Sequence, residues 1–134
     1  MRPAIVDSNV ILDVTQSDSH WSAWSAVALE QLLDKAILVI NPIIYAEVSI
    51  RFRTVDEVER ALPADLYYRE HLPYDAAFLA GKCFMVYRRR GGMRTSPLPD
   101  FYIGAHAAVR GYRLLTRDAA RYRTYFPTVE LIAP

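Results

Sequence analysis

With 134 residues, 52% of them apolar, the chain has the length of one domain (1–134) and can bury a substantial core, which excludes disorder as its main state. The formal net charge is +1, and the single cysteine, Cys83, has no partner for a disulfide or a thiolate metal site and reads as core. No apolar stretch reaches bilayer-spanning length and the start, MRPAIVDSN, carries no signal-peptide pattern, so a cytoplasmic protein without membrane association is expected.

Short, nearly continuous apolar runs alternate with stretches of helical spacing. AIVD at 4–7 predicts a first strand. A helix follows over 19–35, with Trp21, Trp24, Val27, Ala28 and Leu32 on one side and Ser19 as its cap. AILVI at 36–40 predicts the second strand, and Pro42 opens a helix running to Phe52, at a position where a missing amide is harmless. Thr54 with Glu57 forms a capping-box pattern for a short helix that ends before Pro63. LYYRE at 66–70 reads as a short edge strand, and 75–90 as a long helix closed by Gly91 and Gly92. The loop GGMRTSPLP leads to Asp100, which begins a helix to Arg110. Gly111, a strand over 114–116, a short helix from Arg117 or Asp118, Pro127 and a last strand over 129–133 complete the chain. Strands this hydrophobic, joined by crossovers this long, predict a parallel sheet covered on both faces, a three-layer α/β/α domain.

The near-neutral total hides an asymmetry. From Arg88 onward nine arginines face only Asp100, Asp118 and Glu130, whereas the first 87 residues carry seven basic and twelve acidic side chains. Arginine's planar fork pairs with phosphate in bidentate fashion, so Arg88, Arg89, Arg90, Arg94 and Arg117 are candidates for holding a nucleic-acid backbone. Arg88 to Arg90 also stand where they would complement a helix C-terminus.

Four carboxylates, Asp7, Glu47, Asp100 and Asp118, occupy strand ends or helix segments next to them. Brought together, each pair would repel by about 4 kcal/mol at 4 Å and an effective dielectric near 20, a cost met by protonation or by a cation. Asp7 ends the first strand and Asp118 follows the fourth, so both belong at the carboxyl edge where α/β sheets bind ligands. On chain order alone, the start of the helix carrying Asp100 is expected at the opposite edge. Taken singly, the three aspartates could equally cap helices, and Glu47 could pair with Arg51. Asn9 and Thr116 stand two residues from Asp7 and Asp118 and can orient them. An oxygen-only set selects Mg²⁺ or Mn²⁺ over Zn²⁺. His106 reads as a packing residue rather than a ligand, and His20 and His71 carry no role.

IVDSNVILD, then IIYAEV, then PDFYIGAHAAVRGYRLLTRDAARYRTYFPTVELI resemble, in order and spacing, the PIN-domain family, and within it the VapC ribonucleases of type II toxin–antitoxin systems. The match covers nearly the whole chain and is most specific from Pro99 onward, whereas 54–94 carries little of it. The resemblance implies a PIN-like fold with a central parallel sheet of about five strands, a Mg²⁺-dependent endoribonuclease activity on RNA, a homodimer, and inhibition by a cognate VapB-type antitoxin. By position, Asp7 and Asp100 match the family's strongest metal-binding acids, and Glu47 and Asp118 the second and fourth. It also implies that the helix of the third acid brings Asp100 to the cluster.

The expected chemistry is a metal-polarised phosphodiester attacked in line by water, leaving 5′-phosphate and 3′-hydroxyl ends. A haloacid-dehalogenase-type phosphatase would need an aspartate where Asn9 stands, and a phospho-receiver domain a lysine where the chain has Thr116 and Arg117. A housekeeping nuclease of RNA processing, or a non-catalytic module that binds RNA or an antitoxin, remain as alternatives.

Overall fold

The structure, a computed structural model, describes residues 2–16, 20–95 and 98–134. Its strands are β1 (Ala4–Val6), β2 (Leu38–Ile40), β3 (Tyr67–Arg69), β4 (Arg113–Leu115) and β5 (Leu131–Ile132). They form one all-parallel sheet in the order β3-β2-β1-β4-β5. The helices are α1 (Ser8–Gln16), α2 (Ser22–Leu33), α3 (Pro42–Ser49), α4 (Val55–Ala61), α5 (Tyr74–Arg89), α6 (Pro99–Arg110) and α7 (Ala120–Tyr125). This is the expected three-layer, PIN-like α/β/α arrangement.

The strand order has a direct consequence for function. From β1 the chain builds outward through β2 to β3, then returns past both to place β4 on the other side of β1. The order therefore reverses between β1 and β4, and the crevice beyond their carboxyl ends is where open α/β sheets receive ligands. Both strands are sealed: Ala4, Ile5, Val6, Leu114 and Leu115 have no solvent exposure. Ile5 pairs with Val39 on one side and Leu114 on the other.

Local chemistry explains the helix boundaries. Asn41 caps α3 by accepting from the Ile44 amide at 3.0 Å, with Pro42 at the first helical position. Thr54 and Glu57 form the expected capping box on α4. Gly111 ends α6 in the left-handed region, at φ +68°, which favours a residue without a Cβ. Inside α6, a Cβ on Gly104 would collide with the Phe126 ring, so that helix and the turn after α7 approach at a distance only glycine permits. Cys83 is half-buried against the core, as expected.

Several boundaries differ from the sequence expectation. The helix expected over 19–35 spans Ser22–Leu33, and its Ser19 cap lies outside the described residues. The helix expected to reach Phe52 stops at Ser49, and the last strand shortens to Leu131–Ile132. The largest difference is α1, which was not expected. Its apolar positions Val10, Ile11, Leu12 and Val14 follow the polar Asp7-Ser8-Asn9 in a helix of 9 residues, a window too short for helical period to stand out.

Candidate functional site

Asp7 stands at the junction of β1 and α1 and is 3% exposed. Its Oδ1 accepts from the Ser8 amide at 2.8 Å. Its Oδ2 accepts from the Thr116 hydroxyl at 2.9 Å, the Tyr122 hydroxyl at 2.9 Å and, more weakly, the Asn9 amide at 3.5 Å. Asn9 also donates to Thr116 Oγ1 at 3.3 Å and accepts from the Arg117 amide. Asn9 and Thr116 thus orient Asp7 from both sides of the switch point; Thr116, expected to orient Asp118, meets only the Asp118 backbone.

Asp100 lies in the first turn of α6, and its Oδ1 is 3.4 Å from the same Tyr122 hydroxyl. The expectation that chain order would put it at the opposite edge is overturned. A helix leading into a parallel strand runs against that strand, so α6 hands over to the amino end of β4 while its own start rests at the carboxyl edge. Asp100 does not cap the helix, because the cap position is Leu98 and no side chain bonds there. Its Oδ2 is 3.5 Å from the Arg121 guanidinium.

Glu47, on α3, accepts from the Ser8 hydroxyl at 2.9 Å, so adjacent groups of Ser8 hold Asp7 and Glu47 together. Asp118 is exposed, lines a cleft with Asp100, Arg121, Tyr87 and Tyr125, and acts on Asp100 through its charge. It too is not a helix cap, since α7 begins after Ala119.

The electrostatics follow from this crowding. Burial, then the charge of Asp100, push the Asp7 carboxyl up to about 6 from an ordinary 3.8; the Tyr122 and Thr116 hydrogen bonds oppose the shift and Glu47 adds to it. Glu47 is raised by burial and by Asp100, against the Ser8 hydrogen bond. Asp100 is raised by burial and Asp118, against Arg121 and Tyr122. Buried between the acids, the Tyr122 phenol is raised well above its usual range and stays protonated as a donor.

Among the described residues, no three His, Cys, Asp or Glu side chains form a group that could hold a metal ion as they stand. Asp7 and Asp100 share one hydroxyl, that of Tyr122. That pair fits Mg²⁺, which keeps several waters and takes one or two carboxylates besides substrate phosphate. Asp7 Oδ1 accepts a single bond and retains acceptor capacity, and three acids carry raised proton affinity, a deficit of positive charge in chemical form.

The arginines divide by partner. Arg117 Nε donates to the buried Asp13 at 2.7 Å, and Asp13 also accepts from the Ser25 hydroxyl, so this guanidinium ties α1 and α2 to the β4 end. Arg88 donates to the Arg94 carbonyl at 2.6 Å; Arg88 and Arg89 close the last turn of α5. Arg90 stacks 5.5 Å from the Tyr125 ring centroid, beside the cleft. His106 is fully buried between the Asn41 amide at 3.0 Å and Glu70 at 3.2 Å, and burial lowers its pKa against the pull of Glu70, which agrees with its reading as a packing residue.

Sequence reasoning missed Ser8, Arg121 and Tyr122. Two weak signals existed: Ser8 adjoins Asp7, and Tyr122 follows Asp118 by four residues, one helical turn. Neither says that a tyrosine hydroxyl will reach across to β1.

No family model and no curated protein matches the chain by sequence. Solved structures do match in fold. A chain of VapBC2 from Rickettsia felis, bound to a DNA fragment from its promoter, superposes with a TM-score of 0.74 over 98% of both chains at 15% identity. VapBC-1 from nontypeable Haemophilus influenzae gives 0.70 over 97% of this chain and 96% of that one, at 19% identity. VapC20 of Mycobacterium tuberculosis, a sarcin-ricin loop cleaving toxin, gives 0.62 over 94% and 98%, at 13% identity. The fold is therefore the one implied by the resemblance to VapC-type PIN domains.

Proposed function

We propose that the chain is a metal-dependent endoribonuclease acting as the toxin of a VapBC-type pair. The observation that carries the reading is the meeting of Asp7 and Asp100, from elements 93 positions apart, at one hydroxyl beside the β1/β4 switch point. Structural capping does not require that convergence, and it concentrates negative charge where a cation and a phosphate would enter.

Asp7 and Asp100, with Glu47 and Asp118 in support, would hold Mg²⁺ or Mn²⁺, which would supply Lewis acidity and a water of lowered pKa. The chain's own residues prepare the site. Ser8 fixes Asp7 through its amide and Glu47 through its hydroxyl. Thr116 and Asn9 lock the Asp7 rotamer, so no reorganisation is needed when charge develops. Arg121, held near the Tyr87 and Phe101 rings at 5.8 and 5.9 Å, presents a guanidinium in the cleft to an RNA phosphate. Arg90, Arg88, Arg89 and Arg94 extend that positive surface. Water adds to phosphorus as the bond to the 3′ oxygen breaks, giving 5′-phosphate and 3′-hydroxyl ends.

The toxin role rests on the VapBC complexes that share the fold, and with it come a VapB-type antitoxin and a homodimer as partners. Purified protein should cut a structured RNA in Mg²⁺, stop in excess EDTA, and lose activity on Asp7→Asn or Asp100→Asn with the fold retained. Full cleavage by either variant, or in EDTA, refutes the nuclease and favours a non-catalytic binding module. Growth arrest on induction, relieved by co-expressing the product of an adjacent small reading frame, separates a toxin from a housekeeping nuclease.

A further inference from the structure

The ring of Tyr122 is 1% exposed and packs in the core, a task that phenylalanine would perform equally well. Its hydroxyl is what needs explaining, because a buried hydroxyl without partners costs free energy. It lies 2.9 Å from Asp7 Oδ2 and 3.4 Å from Asp100 Oδ1. The other polar neighbours of these acids each serve one of them: Thr116, Asn9 and Ser8 reach Asp7, and Arg121 reaches Asp100. Tyr122 reaches both, from a third element, α7.

A phenol has one proton, and the shorter contact claims it for Asp7. Asp100 takes the weaker share, Tyr122 Oη donating to its Oδ1 at 3.4 Å, and its other oxygen has Arg121 at 3.5 Å. One donor shared unequally between two carboxylates therefore sets their spacing.

We infer that Tyr122 is a positioning residue, which holds the Asp7 and Asp100 side chains around a single hydroxyl and so presets the pair for a divalent cation. The inference rests on the metal-dependent reading above and adds a residue to it. Outer partners that orient metal-binding carboxylates typically contribute 10- to 100-fold in affinity.

The test is calorimetric titration of Mn²⁺ into wild type and Tyr122→Phe, with folding followed by far-ultraviolet circular dichroism. Folded Tyr122→Phe is expected to bind Mn²⁺ about 10- to 100-fold more weakly. In RNA cleavage at limiting Mn²⁺ its kcat should fall with KM for RNA unchanged, and excess Mn²⁺ should restore kcat. Equal or tighter Mn²⁺ binding by the variant overturns the inference while the nuclease reading stands. Absence of Mn²⁺ binding by wild type overturns both. If the phenylalanine variant does not fold, Tyr122→Met, whose flexible side chain fills the same space without a donor, is judged by the same isotherm.

Discussion

Replacing Asp7 by asparagine should remove cleavage and at the same time stabilise the metal-free protein. Burial and the neighbouring acids push the Asp7 carboxyl up to about 6 from an ordinary 3.8, so the folded state binds this proton more tightly than the unfolded chain. Stability from this group is then complete below about pH 3.8 and lost as pH rises through about 6. At pH 7.5 the carboxylate must ionise inside the fold at a cost of about 3 kcal/mol, from roughly two pK units at 1.36 kcal/mol each. Asparagine keeps the shape, and with its carbonyl oxygen in the Oδ2 position it still accepts from the Thr116 and Tyr122 hydroxyls, losing only the bond from the Ser8 amide. In EDTA at pH 7.5 the Asp7→Asn protein should be more stable by about 1 to 3 kcal/mol, raising Tm by as much as on the order of 10 °C. At pH 4.5 the difference should shrink to about 1 kcal/mol or less, since the native carboxyl is by then protonated. Added Mg²⁺ should raise the Tm of wild type and leave the variant nearly unmoved. Thermal melts at the two pH values, with and without metal, check this. An Asp7→Asn protein less stable than wild type at both pH values would refute the argument that the carboxylate is stored at a cost.

Other perturbations follow from single contacts. Arg117→Ala should lower stability by about 3 kcal/mol in urea unfolding, because it strips the buried Asp13 of its guanidinium; an unchanged midpoint with weakened RNA binding would instead return Arg117 to the phosphate-binding set. Arg121→Ala should weaken RNA binding and reduce the magnitude of its log-affinity against log-salt slope by about one, as loss of one phosphate contact does. An unchanged slope would show that Arg121 serves Asp100 alone. Gly104→Ala drives a Cβ into the Phe126 ring and should destabilise by about 1 to 3 kcal/mol, measured by denaturant titration. Ser8→Ala removes the hydroxyl from Glu47 and should reduce kcat while the Asp7 interaction with the Ser8 amide persists; activity equal to wild type would make the Ser8 bond to Glu47 dispensable.

Much of this protein was legible in the chain because hydrophobic period and turn chemistry are local properties. The runs at β1, β2 and β4, the Pro42 and Thr54-Glu57 helix starts and the glycine after α6 are set by neighbours within a few residues. The sequence placed Asn9 beside Asp7 and Thr116 beside Asp118, but the Thr116 hydroxyl goes to the Asp7 carboxylate instead. It left α1 unmarked, because four apolar residues behind the polar Asp7-Ser8-Asn9 are too short a window to show helical period.

Only the tertiary structure decided which distant groups meet. That β4 lies next to β1 depends on the sheet's strand order, which no local window contains, and this adjacency puts Thr116 on Asp7. The antiparallel run of α6 against β4 returns Asp100 to the same edge, Arg117 turns inward to Asp13, and Tyr122 carries its hydroxyl from α7 to two acids far from it in the chain. Contacts like these depend on the path of the whole chain, so the identity of the acids was written in the sequence whereas their shared hydroxyl was written only in the fold.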